Sequence, residues 1–379
     1  MDSEKKRRIG FLGYILRFVN LIILIALLIS YTAQWISPTL FWPIAFLGLS
    51  LPLLYIINFL FILHWIFRRR KFIIYPLIVF LIGLPLFGRF FNFGNNTEVM
   101  DMSSPFKVLT YNVHVFDQYH TKYGSETYAR DGILKYLKDE NADIYCFQEF
   151  YSRKDKKDMD NLSYFKKELS TPYVYFANYS PKSKYLYNVI FSKKPIEASG
   201  NIGNTEDSGE MSGIYADIKM NSTLLRVYSV HLKSFQISSE KDIINMNFDI
   251  QSPEDQDKIK ESSIRMTRKF KLAFEARSKQ IKNLKEHIAS SGLPVIVAGD
   301  FNDTPSSYAY GQLRLDLEDS FMENGKGFGR TYNGPYPSFR IDYILHDSNL
   351  INYKYSKGKV KYSDHFPISA VFSATEISE

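Results

Sequence analysis

PVIVAGDFND (294–303) reads as an apolar strand that runs directly into a polar turn. The apolar run is short and rich in β-branched residues, as a buried strand requires. It delivers Asp300, Asn302 and Asp303 to the point where the strand stops. The same design recurs outward from this stretch. FKVLTYNV (106–113) is a strand carrying Asn112 at its end, and ADIYCFQEF (142–150) carries Gln148 and Glu149. TLLRVYSVHL (223–232) carries His231, Asp342 lies within FRIDYILHD (339–347), and Asp364–His365 precede FPISAVFS (366–373). YVYFANY, YNVIFSK and MSGIYADIKM add shorter strands between them. Helical spacing marks about 128–139, with Ile133, Leu134 and Leu137 on one face, and again about 262–289. Many strands with few intervening helices predict a four-layered α/β sandwich, two packed mixed sheets flanked by helices, over residues 106–379. The polar stretch Phe235–Ile259 reads as an insertion or flexible loop over one face.

The preceding residues have a different composition. Three apolar runs, 11–36, 40–67 and 72–87, fill residues 1–91, and 92–105 (NFGNNTEVMDMSSP) reads as a linker. A spanning helix needs about 20 mostly apolar residues. The first two runs meet that length. The third is short and carries Pro76, Gly83 and Pro85. The first run is too long for a cleaved signal peptide, and no small-residue cleavage site follows it. Lys5, Lys6, Arg7 and Arg8 precede the first run and Arg68–Lys71 separate the second from the third, so the positive-inside rule places both in the cytoplasm. Three spans then put the C-terminal domain outside, on the periplasmic side in a Gram-negative cell. An interfacial third segment reverses that side. Trp35, Trp42 and Trp65 fall near span ends, as an aromatic belt would place them.

Charge narrows the function classes. The net charge is +7, but Lys and Arg number 10 and Asp and Glu 3 before residue 100, out of 47 and 40, leaving 37 of each sign beyond it. A formally neutral domain weakens a reading as a general nucleic-acid binder. A single cysteine, Cys146, excludes an intrachain disulfide and a cysteine-built zinc site. Carboxylates, amides and histidines at strand ends are instead what a hard-cation phosphate site needs. Mg²⁺ takes oxygen ligands and neutralises phosphoryl charge, further carboxylates activate water, and neutral or cationic donors stabilise the transition state.

LTYNV, FQEF, SVHLKS, GDFND, RIDYIL and SDHFP stand in this order across nearly all of residues 106–373. In that order they resemble the endonuclease/exonuclease/phosphatase superfamily, which includes AP endonucleases, pancreatic-type deoxyribonucleases, neutral sphingomyelinases and inositol-polyphosphate 5-phosphatases. The resemblance implies Glu149 as principal Mg²⁺ (or Mn²⁺) ligand, with Asn112 beside it and Asp364 helping to hold the metal or the geometry. It implies that Asp300 orients or deprotonates the attacking water and that Asn302 holds the phosphoryl oxygens. His365 would contact the scissile phosphate as transition-state stabiliser or base, Asp342 would fix its tautomer, and His231 would be a second donor. The reaction would be in-line attack of water on phosphorus with no covalent enzyme intermediate.

Each residue also has a plain structural reading. Asp300 and Asn302 suit an Asx turn, Glu149 a solvated strand end and His231 a satisfied strand-end histidine; the motif order outweighs these. Cys146 reads as an inert core thiol, and Arg277 and Lys279 as a solvated helix face. His114, Asp303 and Asn188 are near-site candidates. The tyrosines of 173–187 read as strand residues, and His120, His287 and His346 carry no functional expectation. For substrate, the chain lacks the Trp-x-x-Asp-Arg signature of the inositol phosphatases, and Phe301 replaces the Leu usual in AP endonucleases. GDFN and VHLKS look closer to the sphingomyelinase and deoxyribonuclease branches. The expectation is a membrane-anchored phosphodiesterase acting on a lipid headgroup or nucleic acid, with a phosphomonoester as the further alternative and no obligate protein partner. A catalytically inactive, membrane-tethered module for a phosphorylated ligand is the competing class, but no site residue is missing. A membrane protein whose spans are the functional part is opposed by how few ionisable groups they hold (Arg17, His64, Arg89).

Overall fold

The structure, a computed structural model, describes residues 10–68, 71–94, 104–117, 128–178, 185–203, 212–220, 223–235, 253–334 and 339–374. The strands are β1 (Phe91–Asn92), β2 (Phe106–Asn112), β3 (Ile144–Tyr151), β4 (Tyr173–Asn178), β5 (Leu186–Ser192), β6 (Ile196–Ile202) and β7 (Gly213–Met220). They continue with β8 (Thr223–His231), β9 (Val295–Asp300), β10 (Glu318–Asp319), β11 (Gly327–Phe328), β12 (Asp342–His346), β13 (Leu350–Lys357) and β14 (Ile368–Ala374). Two six-stranded sheets result, ordered β10-β12-β9-β8-β7-β6 and β13-β14-β2-β3-β5-β4. Both are mixed, because β2–β3 and β8–β9 pair in parallel while their neighbours are antiparallel.

Alternation along each strand builds the layers. Val108, Ile144, Cys146 and Ile190 of one sheet meet Ile214, Ala216, Val227 and Ile296 of the other in a core between the sheets. The opposite side chains, among them Leu109, Tyr145 and Phe147, pack under the helices Tyr128–Glu140 and Asn161–Glu168. Tyr228, Val230, Val297 and Tyr343 pack under Pro253–Ala289 and Tyr308–Leu313. The domain is the four-layered sandwich expected.

Several boundaries differ from the sequence reading. Two edge strands, β6 (IEASGNI) and β13 (LINYKYSK), were not legible, because their polar and small residues break the apolar run, whereas the aromatic edge strand β4 was. The long helix begins at Pro253, so the end of the polar 235–259 stretch is helical; residues 236–252 of it lie outside the described residues. Arg277 does not lie on a solvated face. It is buried and donates to Asp303 Oδ2 (2.9 Å) and Lys233 O (2.7 Å), because its turn of the helix faces the sheet; Lys279 is exposed. The start of the 92–105 linker is not free chain either. Phe91–Asn92 pairs with Gly327–Phe328, and Asn92 Nδ2 donates to Phe321 O and Met322 O.

The apolar region forms a three-legged helical bundle. The first run is helical over Phe11–Tyr31 and turns before residue 36. The second is broken into Pro43–Leu49 and Leu51–Phe67, bent by 60° at Ser50. Pro52 lacks the N–H that a continuous helix would need there. The third is helical over Ile74–Ile82 and Leu84–Phe87, too short to cross about 30 Å of hydrocarbon unaided. Among the described residues one helix, Phe11–Tyr31, is long and apolar enough to cross a membrane, and the bent pair would be a second if taken as one span. Leu24, Leu27, Tyr31, Leu51, Tyr55 and Val79 pack together inside. Trp65 Nε1 donates to Asn20 Oδ1 (2.8 Å), Asn58 Nδ2 to Pro76 O (3.0 Å) and Tyr31 OH to Val79 O (2.9 Å), cross-linking the legs of the bundle.

A buried charge pair ties β10 to the residues entering β12. Arg340 Nη1 and Nη2 reach Asp319 Oδ1 (3.1 Å) and Oδ2 (2.6 Å), and Tyr310 OH donates to the same carboxylate (2.6 Å). Asp319→Ala leaves that guanidinium buried and unpaired, which costs about 3–5 kcal/mol. A clear fall in the thermal unfolding midpoint of the detergent-solubilised chain is the expected result.

Candidate active site

Register sets the centre of the site. Asp300, the last residue of β9, stands opposite His231 of the parallel neighbour β8 and opposite Asp342 of the antiparallel neighbour β12. Gly299 makes that approach possible. Its φ is +148°, and a Cβ there would lie 2.0 Å from Val230 O. Asp300 is buried, and two amides hold it. Asn112 Nδ2 donates to Oδ2 (3.0 Å), the backbone N–H of Asn302 to Oδ1 (2.7 Å), and Asn302 Nδ2 to Oδ2 (3.2 Å) and to Leu232 O (3.0 Å). Asn302 adopts φ +51°, a left-handed conformation that asparagine tolerates.

The other sheet contributes Asn112 and Glu149. Simple alternation would point Gln148 and Glu149 to opposite faces. Instead the β3–β5 pairing slips between Phe147↔Val189 and Phe150↔Tyr187, so Gln148 and Glu149 together oppose Asn188. This β-bulge, with Glu149 at φ +51°, turns both side chains toward the facing sheet. Gln148 Nε2 donates to Ser229 Oγ (3.1 Å), and Glu149 Oε1 lies 3.7 Å from His231 Nε2. Asn112 Nδ2 is 3.4 Å from Glu149 Oε1. Asn188, opposite the bulge, is buried with neither amide atom hydrogen-bonded among the described residues.

His365 closes the cluster. Its Nδ1 is 2.9 Å from Asp342 Oδ2, its Nε2 is 3.7 Å from Asp300 Oδ2, and Asp364 Oδ1 lies 4.0 Å away. Thr331 Oγ1 accepts from the N–H groups of Ile341 and Asp342, and Ser363 Oγ donates to Asn112 O (2.8 Å). Thr331 carried no signal in the sequence, whereas Ser363 and Gln148 sit inside motifs whose neighbours drew attention first. His114 stands at the rim. Its N–H donates to Asn112 Oδ1 (3.1 Å) and its Nδ1 lies 3.8 Å from Asp364 Oδ1. Asp303 points away from the cleft and is held by Arg277.

All eight predicted site residues, Asn112, Glu149, His231, Asp300, Asn302, Asp342, Asp364 and His365, therefore meet in one cluster at one end of the sandwich. The tightest potential ligand set differs from the expected one: ligand atoms of Asp300, Asp342 and His365 all lie within 4.8 Å of one another. His365 Nδ1 is already engaged by Asp342. Glu149, Asp364 and the carboxamide of Asn112 supply hard oxygen donors beside it, and these suit a hard divalent cation.

Electrostatics follow burial. Asp300 is pushed up to about 6 by desolvation, against the pull of His365 and His231. Glu149 is also raised, first by desolvation and then by the facing Asp364, while His114 and His365 pull it down. Burial opposes the charge on His365, but the carboxylates of Asp342 and Asp300 outweigh it and hold the imidazolium well above its usual range.

A sandwich of two mixed sheets with carboxylates, amides and histidines converging at the strand ends defines a phosphoesterase-type hydrolase architecture. Residues 109–365 match the model of the Endonuclease/Exonuclease/phosphatase family, and the chain belongs to that family, whose members are metal-dependent phosphoesterases. Residues 13–90 match a separate domain of unknown function (DUF8431). Similar solved structures include the endonuclease/exonuclease/phosphatase from Bacteroides vulgatus (17% identity, 72% of this chain and 100% of that one, TM-score 0.49). Humanized D. rerio TDP2 gives the same figures: 17%, 72%, 100% and 0.49. A family protein from Leptotrichia buccalis is 16% identical over 70% of this chain and 98% of its own, TM-score 0.46. No curated protein matches the chain.

Two predictions follow from this geometry. With chelator present, His365 has a folded pKa above its unfolded value near 6.5. Its contribution to stability is therefore complete below about pH 6.5 and is lost as pH rises through the raised value. The stability advantage of the native chain over His365→Gln should shrink over that rise, and chemical denaturation at stepped pH measures it. Gly299→Ala forces a Cβ into the β8 backbone, which costs about 1–3 kcal/mol or more, seen as a lower unfolding midpoint together with lost site function.

Proposed function

We propose that the protein is a membrane-anchored, divalent-metal-dependent phosphodiesterase. The observation that carries the chemistry is Asp300: a buried carboxylate held by Asn112 and Asn302, with the Nε2 atoms of two histidines 3.7 and 3.8 Å from the same oxygen. With its pKa raised to about 6, Asp300 takes a proton from water effectively near neutral pH, as the attacking oxygen forms its bond to phosphorus. Asp342 holds Nδ1 of His365 and so presents Nε2 to the phosphoryl group whose negative charge increases, with His231 as a second donor across the same cleft. Asn302 orients Asp300 and the phosphoryl oxygens. Glu149, Asn112 and Asp364 would hold the cation, and the buried amide of Asn188, on the strand opposite Gln148–Glu149, has no hydrogen-bond partner among the described residues. When bound, a divalent cation neutralises phosphoryl charge. The P–O bond to the leaving group breaks in line, the departing alkoxide takes its proton from solvent water, and no enzyme-bound intermediate forms.

Membrane anchoring is supported by the bundle's outer surface. Only 17% of the most apolar window of Phe11–Tyr31 is buried, whereas the core helix of a soluble protein is mostly buried. Residues 17, 20, 65 and 72 gather at one end of the bundle with Arg68, and Tyr31, Tyr55 and Phe80–Phe87 at the other, from which the chain enters the catalytic domain. A third crossing by the leg 71–87, with Arg68 and Lys71 in the cytoplasm, would place the catalytic domain outside it.

The test uses the purified full chain in detergent with bis(p-nitrophenyl) phosphate and p-nitrophenyl phosphate, in Mg²⁺, Mn²⁺ or EDTA. Diester cleavage that requires metal is expected. Asp300→Ala and Glu149→Gln should each lower kcat by about 10²–10⁴, with the unfolding midpoint of each variant measured alongside to separate lost chemistry from lost stability. Undiminished turnover in Asp300→Ala would overturn the assignment.

A further inference from the structure

The apolar bundle does not merely tether the domain; it is bonded to the loop that carries the catalytic turn. Five residues after Asp300, Pro305 O accepts from Arg89 Nη1 (3.2 Å), and Ser306 Oγ donates to Gly48 O (2.8 Å). Gln312 Nε2 donates to Gln34 O (3.2 Å), and Ser278 Oγ meets Ser37 Oγ at 2.7 Å. Phe46 packs on Phe270 and Phe274 of the long helix, with ring centroids 5.1 and 5.3 Å apart. The partners from the bundle are the segment 34–48, between its first two legs, and Arg89 where it ends. Trp35, Leu40 and Phe41 on that segment are exposed, as residues at a bilayer interface are. Exposed apolar side chains also stand on domain elements that touch the bundle: Leu315 follows Gln312, which bonds Gln34, and Phe93 and Phe328 flank Phe91, which stacks on Phe87.

We infer that this face of the catalytic domain rests on the bilayer, and that the substrate is a phosphate ester carried by a lipid of the same membrane. The inference rests on the phosphodiesterase reading above and adds its substrate class. Distance permits it. Five residues reach at most about 17 Å even fully extended, so the Asp300 backbone lies within that distance of the bundle's bonded end. The headgroup layer is itself about 5–7 Å deep on each side of the hydrocarbon. Charge agrees, since residues 100–379 carry 37 basic and 37 acidic side chains, with no excess to draw a polyanion out of solution.

The experiment uses the full chain in vesicles of phosphatidylethanolamine, phosphatidylglycerol, phosphatidylinositol and sphingomyelin in equal parts, with released water-soluble phosphorus as readout. Bis(p-nitrophenyl) phosphate and a single-stranded oligonucleotide serve as soluble substrates. Gly311→Val is the undocking variant, because a Cβ there meets Gln34 Cβ at 2.6 Å; Phe46→Asp replaces it if Gly311→Val fails to fold. Expected are lipid turnover that falls about tenfold or more on undocking and aryl diester turnover that does not change. Because Cys146 is buried, Leu315→Cys accepts an environment-sensitive fluorophore selectively, with Lys166→Cys as the control on the opposite helical layer. The label at 315 should shift to the blue and be quenched by spin-labelled lipid, and the label at 166 should not. A water-exposed label at 315, equal lipid turnover after undocking, or aryl diester and oligonucleotide cleavage with no lipid cleavage would overturn the inference while leaving the phosphodiesterase reading intact. Failure on every ester would instead overturn that reading.

Discussion

A buried carboxylate at the end of a strand is the constraint on which the rest of this structure depends. Asp300 loses its hydration to the sandwich, and an isolated charge there would cost several kcal/mol. Two amides and two imidazoles compensate it. Strand register places the imidazoles: His231 pairs directly with Asp300, and His365 is held through its bond to Asp342, the other residue paired with Asp300. Removing one member would therefore leave its neighbours under-satisfied. Burial and like charge raise Asp300 and Glu149, and surrounding carboxylates raise His365, so the cluster holds extra protons in the absence of a cation.

Local strain marks where the fold yields to the site. Glu149 and Asn302 both adopt left-handed backbone, and Gly299 takes a φ that side chains avoid. For Glu149 this costs about 1–2 kcal/mol, repaid by turning two successive side chains onto one face of β3. Without the bulge either Gln148 would lose Ser229 or Glu149 would leave the cleft. The bulge is thus a geometric device that lets one strand support a buried hydrogen-bond network and a candidate metal ligand at adjacent positions.

The same economy links the domain to the apolar bundle. The loop leaving Asp300 carries Asp303 inward to Arg277, Pro305 outward to Arg89 and Ser306 to Gly48. Arg277 in turn lies under Phe235 and Phe274, the second of which touches Phe46. Catalytic turn, long helix and bundle therefore form one contiguous packed unit.

The family was legible in the amino-acid sequence, and the geometry of its site was not. Short apolar runs ending in Asn112, Glu149, His231, Asp300 and Asp342 were readable because burial imposes composition on a central strand, and the motif order pointed to the family. The edge strands β6 and β13 left no such imprint. Arg277 looked solvated because a charged residue gives no sign of which helix face it occupies until the sheet beneath supplies its partner. The bulge at Gln148–Glu149 was invisible because one extra residue in a ladder is a property of pairing, not of either strand. The sequence by itself determined which side chains arrive at the strand ends and where the apolar region begins and stops. Only the tertiary structure decided that those side chains face one another and that the apolar region is bonded to the catalytic turn, because both depend on register and packing between segments far apart in the chain.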